Sequence, residues 1–344
     1  MKPSIFTLFA AMTLFAALGI MAQTLKSNTE NQIITFDAGP LENHATSINP
    51  SGEITGWYAD ASRAHAHGFL RAADGKITTL DVGSTGTTAT SINPSGEVTG
   101  WYFDANFLVH SFLRAPDGTI TTFDVAPPNY TVPVSINPRG DVTGSSTGGF
   151  TYQGFVRTAD GIITTFDALG PATATFTSTI PESINPDGVI VGVYFDVRSV
   201  QPVDHGFVRA ADGTITTFDG PGAGTAPGTV TIPMSINPEG EVTGWYADVI
   251  TTHGFVRAAD GKITTLDVGS TGTTATSINP SGEVTGWFGD ANGLHGFVRS
   301  TDGTIAKFDA GPNGTFPVSI NPSGEVTGWY FDANFLVHSF LREH

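Results

Sequence analysis

The stretch Ser91-Ile92-Asn93-Pro94-Ser95-Gly96-Glu97-Val98-Thr99-Gly100-Trp101-Tyr102 decides how this chain folds. Its first half is turn chemistry: Pro94 presets φ at the second turn position and Gly96 closes the fourth. Its second half is rich in β-branched and aromatic residues, which fit a pleated, half-buried surface. The tetrapeptide Ser-Ile-Asn-Pro occurs seven times, with serines at Ser47, Ser91, Ser135, Ser183, Ser235, Ser277 and Ser319. Spacings are 44, 44, 48, 52, 42 and 42 residues.

Each copy continues in the same way. A His-Gly-Phe-Val-Arg-like segment follows (residues 67–71, 253–257), then an Asp-Gly turn such as Asp74-Gly75, then Ile-Thr-Thr-Phe/Leu-Asp (residues 77–81). The Asp-Gly step fits a hairpin with positive φ at Gly. No segment has a helical period, and Gly or Pro punctuates nearly every one. Four short strands in each of seven repeats predict an all-β chain: a seven-bladed β-propeller of four-stranded blades. A linear array would leave costly open edges. The repeat phase also predicts closure. The expected mature chain begins its repeats with a lone fourth strand (residues 33–37) and ends with a lone third strand (residues 338–342). Pairing the N-terminal with the C-terminal strand completes the last blade and closes the ring.

Composition narrows the function classes. Acidic residues outnumber basic ones 32 to 15, a net charge of −17 over 344 residues. That excludes the basic footprint of a nucleic-acid binder and disfavours anionic lipid. With no cysteine, disulfides, thiol catalysis and Cys-based zinc sites are out. A hydrophobic share of 39% with 24 Phe supplies a core, and the Phe and Trp are expected to fill the spaces between blades.

Met1 and Lys2, an apolar run over residues 5–21, Ala22 and the polar Gln23-Thr24 read as a secretory signal peptide cleaved near Ala22. The alternative is an uncleaved anchor. The expected organisation is a signal peptide over 1–22, a linker over 23–31 and the propeller over 32–344. The mature chain is then secreted or periplasmic, a monomer, and not inserted in a membrane.

The combination of Ile-Asn-Pro-x-Gly-x-Val-x-Gly, His-Gly-Phe and Asp-Gly resembles the bacterial extracellular repeats of the HAF family, named for a His-Ala-Phe core. Here Gly or Ser replaces the middle Ala, and Gln153 replaces one His. The resemblance covers about residues 32–344. It implies a secreted repeat protein and brings no catalytic residues with it.

His67, His110, His205, His253, His295 and His338 share one repeated position, with Gln153 as the seventh. Buried histidines are expected there, bonded to a partner that also repeats: the Ser, the Trp (Trp57, Trp101, Trp245, Trp287, Trp329) or the Asp after the second strand (Asp60, Asp104, Asp196, Asp248, Asp290, Asp332). Copies spread around a ring cannot converge on one metal. His65 with His67 forms His-x-His without a nearby third ligand. Residues 144–148 match Gly-x-Ser-x-Gly without the helix that a nucleophile elbow needs. Residues 220–224 form a Gly-Pro loop that is no phosphate cradle. No cofactor is implied. Ca²⁺ is the one ion left to weigh, although no Asp-x-Asp-x-Asp-Gly loop occurs.

The variable connections place the candidate site. They hold 9 or 10 residues between the Asp and the next repeat Ser in five cases, but 15 before Ser183 and before Ser235. The connection from Gly192 to His205 is also the longest of its kind. Long loops on a rigid scaffold often bind, which nominates Tyr194, Asp196, Arg198 and Asp204, with Phe176 from the neighbouring loop. The reading that follows is a non-enzymatic binding module for an extracellular polysaccharide or protein. A lectin-like propeller using the repeated aromatics is the alternative, and a glycosidase or lyase the further one.

Overall fold

The computed structural model describes residues 32–83, 85–125, 130–147, 151–169, 177–196, 203–226 and 228–344. The expected signal peptide and linker lie outside them. Among the described residues there are 28 strands and no helix. β1 (Ile33–Phe36) stands before the first repeat unit, which is β2 (Leu41–Ile48), β3 (Ile54–Ala59), β4 (Ala66–Arg71) and β5 (Ile77–Leu80). The second unit is β6 (Thr87–Ile92), β7 (Val98–Phe103), β8 (Val109–Arg114) and β9 (Ile120–Phe123). The third is β10 (Tyr130–Ile136), β11 (Val142–Thr147), β12 (Gln153–Arg157) and β13 (Ile163–Phe166). The fourth is β14 (Thr177–Ile184), β15 (Ile190–Asp196), β16 (Val203–Arg209) and β17 (Ile215–Phe218). The fifth is β18 (Val230–Ile236), β19 (Val242–Ala247), β20 (Thr252–Arg257) and β21 (Ile263–Leu266). The sixth is β22 (Gly272–Ile278), β23 (Val284–Asp290), β24 (Gly293–Arg299) and β25 (Ile305–Phe308). The seventh is β26 (Thr315–Ile320), β27 (Val326–Phe331) and β28 (Val337–Arg342).

Within each unit the strands pair antiparallel in chain order. Five units form separate four-stranded sheets. The fourth and fifth merge into one sheet of eight through a single parallel pairing, Asp204 with Val230. β28 takes β1 as its fourth strand, with Ile33 opposite Arg342 and Phe36 opposite Ser339.

The turns carry the chemistry read from the sequence. Gly52 N donates to Asn49 O at 3.0 Å with Gly52 at φ 77°. Gly75 N donates to Ala72 O at 2.9 Å with Gly75 at φ 89°. Both need the left-handed region that costs glycine nothing.

Two hydrogen-bond circuits link the units. The seven repeat asparagines, only 1–2% exposed, each donate Nδ2–H to the carbonyl of the next unit's asparagine at 3.1–3.4 Å. The last of these runs from Asn321 to Asn49. In the opposite sense, each repeat Ser hydroxyl accepts from the amide of the next unit's Ile, as Ser47 does from Ile92, and Ser319 from Ile48. Such a bond is worth about 1 kcal/mol net, but leaving a buried partner unmade costs more.

The core lies between neighbouring sheets. Third-strand Phe69, Phe112, Phe155, Phe207, Phe255, Phe297 and Phe340 are fully buried. Phe69 meets Phe36 of β1 edge-on at 6.2 Å, and Arg71 lies over the same ring. The tryptophans do not share this core. All five stay half-buried, because they point away from the face that buries the second-strand Ile or Val. The third-strand glycines admit a fourth-strand side chain of their own sheet, not an aromatic of the next blade. A Cβ on Gly154 would lie 2.7 Å from the Phe166 ring.

Candidate functional site

The repeated histidine finds its partner on the fourth strand. Gly68 pairs with Leu80, so the preceding His67 faces Asp81, and their Nδ1–Oδ1 distance is 2.8 Å. His110–Asp124, His205–Asp219, His253–Asp267, His295–Asp309 and His338–Asp37 repeat this at 2.7–2.9 Å. Gln153 Nε2 donates to Asp167 at 2.9 Å. The Asp after the second strand plays a lesser part, lying 3.2–3.6 Å from the other ring nitrogen in four units. The rings are half-exposed, at 17–28% of the side chain, and not buried as expected. Each stacks on or tilts against the aromatic that follows the Trp position, as in Tyr58–His67 at 5.1 Å and Phe288–His295 at 5.3 Å.

The Asp124 hydrogen bond, working against burial, holds His110 above the usual histidine range. For His295 burial pulls the other way, yet Asp309 and Asp290 together keep it raised. No group of three or more ligating side chains that could hold a metal ion occurs among the described residues. His65 is half exposed and sits 3.3 Å from Asp60. Asp60 is brought down to about 2, first by its bond to Ser62.

Gly144, Ser145, Ser146 and Thr147 run through strand β11, with both serines buried, so no elbow forms. The Gly220–Gly224 loop folds on itself, with Ala223 N on Gly220 O at 3.0 Å.

Of the five nominated contacts, Phe176 and Arg198 lie outside the described residues. Asp196 ends β15 opposite Val203. Tyr194 is a correction: it is 6% exposed, packed with Ile184, Ile190 and Phe207 and stacked on His205 at 5.1 Å, so it presents no ring to a ligand. Asp204 is half-buried, and burial raises its pKa. Its amide reaches Thr229 O at 3.4 Å, which ties it to the long connection before Ser235.

Two features were not singled out from the sequence. The first is a run of aromatic rings across three units. His44 stacks on Trp57 at 4.4 Å and meets Trp329 edge-on at 5.0 Å. Phe316 stacks on Trp329 at 4.1 Å and meets Trp287 edge-on at 5.7 Å. The resulting wall, Trp287–Phe316–Trp329–His44–Trp57, is half-buried throughout. Burial lowers the His44 pKa, which favours the neutral ring. At its end Glu42 holds φ 50°, a conformation that costs a non-glycine residue energy. Its carboxylate lies 3.5 Å from Arg63 and 3.8 Å from His44.

The second feature is Glu182, at the position before the repeat Ser. In three other units that position is Thr46, Thr90 or Thr276, whose hydroxyl reaches a carbonyl of its own unit and one of the next at 2.9–3.2 Å. Glu182 is half-buried, and burial pushes its carboxyl up to about 7.

No protein family and no curated protein matches the chain in sequence. Solved structures do match in shape. A streptogramin B lyase aligns over 90% of this chain and 97% of its own, at TM-score 0.58 and 15% identity. A catalytically inactive virginiamycin B lyase from Staphylococcus aureus, solved with quinupristin, aligns over 90% and 99% at TM-score 0.58 and 17% identity. TolB from Acinetobacter baumannii aligns over 75% and 63% at TM-score 0.51 and 14% identity. The chain shares the β-propeller fold with them. At such identities the likeness speaks for the fold alone.

Proposed function

We propose that this chain is an exported, seven-bladed β-propeller that binds an extracellular polysaccharide or protein and does no chemistry on it. Support for a closed ring comes from the β1–β28 pairing and from the asparagine and serine circuits, which pass from the seventh unit to the first as they pass between all others. The observation that carries binding is the half-exposed aromatic wall on so rigid a scaffold. Aromatic rings left at a surface cost solvation and are kept where something covers them. The His–Asp pairs speak for structure, since each Asp fixes its ring in every unit that carries one. Export rests on the residues 1–22, and a place among HAF-type repeats rests on the repeat pattern.

The test is a screen of the purified mature chain against polysaccharides and surface proteins, with product analysis alongside. Saturable binding without turnover is expected. Turnover of a bound glycan that Glu182→Gln abolishes would replace this reading with an enzymatic one.

A further inference from the structure

The wall has chemistry specific enough to name a ligand class. Its rings are half-buried, with one face of Trp57 covered by His44 and one face of Trp329 by Phe316. A ligand would meet the opposite faces, which are of the size that covers the C–H face of a sugar. Beside them stand polar groups of both kinds: the Glu42 carboxylate, and the Arg63 guanidinium, 61% exposed. A surface depression of about 230 Å³ opens in the sixth unit, lined by Asn292, Leu294, His295, Asp309, Ala310 and Pro312. It adjoins the wall through Gly314, where a Cβ would meet the Phe316 ring at 3.1 Å and Leu294 at 3.6 Å. Asp309 spends one carboxylate oxygen on His295 and is half exposed, so its other oxygen can accept from a hydroxyl. Apolar platforms flanked by a few fixed polar groups are how sites orient a ligand. The net charge of −17 repels polyanions, and Arg63 and Glu42 offset each other's charge at the wall's end.

Resting on the binding reading above, we propose that the face formed by Trp287, Phe316, Trp329, His44 and Trp57 binds an uncharged pyranose chain. Its rings stack along the wall from the sixth unit through the seventh to the first, with one sugar seated in the depression at His295 and Asp309.

The test is titration of the full mature chain with cellohexaose, mannohexaose and N-acetylchitohexaose, read by calorimetry and tryptophan emission. Polygalacturonate and benzyltrimethylammonium are the charged controls. A neutral hexaose should bind, and Trp329→Ala should weaken it about tenfold or more, while Trp101→Ala leaves it unchanged. Should Trp329→Ala fail to fold, His44→Ala serves the same purpose from the other side of the ring. Equal affinity in Trp329→Ala and His44→Ala would overturn the placement. Binding of a charged control with every neutral hexaose silent would overturn the ligand class and leave the binding module standing. Hydrolysis of a hexaose would overturn both.

Discussion

Residues 91–114 and 319–342 are the same 24 amino acids, yet they build different surfaces. What they share is scaffold. Tyr102 lies against His110 at 5.4 Å and Tyr330 against His338 at 5.3 Å. The Thr99 and Thr327 hydroxyls donate to the carbonyls of Phe112 and Phe340. What differs is what the Trp touches. Trp101 pairs across the sheet with Thr88, whereas Trp329 pairs with Phe316 and is flanked by His44. The role of an aromatic residue in this fold is thus set by the first strands of its own and the next unit, not by the motif that contains it.

Removing residues 335–344 tests the part that the two copies do not share, the seam. β1 would lose the strand it pairs with and the seventh unit its third strand, exposing two sheet edges. Cooperative unfolding or aggregation is expected by circular dichroism and light scattering. An unchanged Tm in the truncated chain would contradict closure.

Gly100→Ala and Gly328→Ala probe the shared scaffold. A Cβ would sit 2.2 Å from Thr88 O in one copy and 2.1 Å from Phe316 O in the other. Backbone must move in both, so each should lose roughly 2–4 kcal/mol in urea unfolding. Unequal losses would mean that the two scaffolds differ after all.

Glu182 separates the fourth unit from both copies. Its carboxyl titrates near 7 in the fold against about 4.3 when unfolded. The folded state therefore holds the proton more tightly, and stability falls as pH rises between those values. Glu182→Gln should flatten that fall and gain on the order of 2 kcal/mol at pH 8. The same pH profile for both proteins would show that Glu182 is not the group responsible.

The smallest effects are expected at the half-exposed histidines. His110→Ala and His338→Ala should each cost about 1 kcal/mol or less. Because the His110 pKa is raised, its contribution is complete below about pH 6.5 and is lost as pH rises through the folded value. A metal lost with either substitution would reverse the structural assignment of these rings.

Strands, turns and the pairing of the two termini were legible because each depends on neighbours in sequence or on the repeat phase. The histidine partner was legible too, though missed. Counting back from the Asp74-Gly75 turn places His67 opposite Asp81, a fourth-strand residue outside the expected Ser, Trp and second-strand Asp. The wall was not legible as a whole: Phe316 and Trp329 meet within one hairpin, but His44, which continues the run, lies at the far end of the chain. Nor could loop length show that Tyr194 packs inward. Strand alternation, with Tyr194 beside the core-facing Gly192 and Ile190, carried that signal.

The comparison is tested most directly by making the seventh unit a copy of the second at the cross-strand position that faces the tryptophan. Phe316→Thr places beneath Trp329 the residue that lies beneath Trp101. Calorimetric titration of this variant with the hexaose that binds the parent chain best should show affinity reduced about tenfold, roughly 1.4 kcal/mol, with Tm lowered by only a few degrees. Undiminished affinity would contradict the account that the aromatic wall is the binding surface.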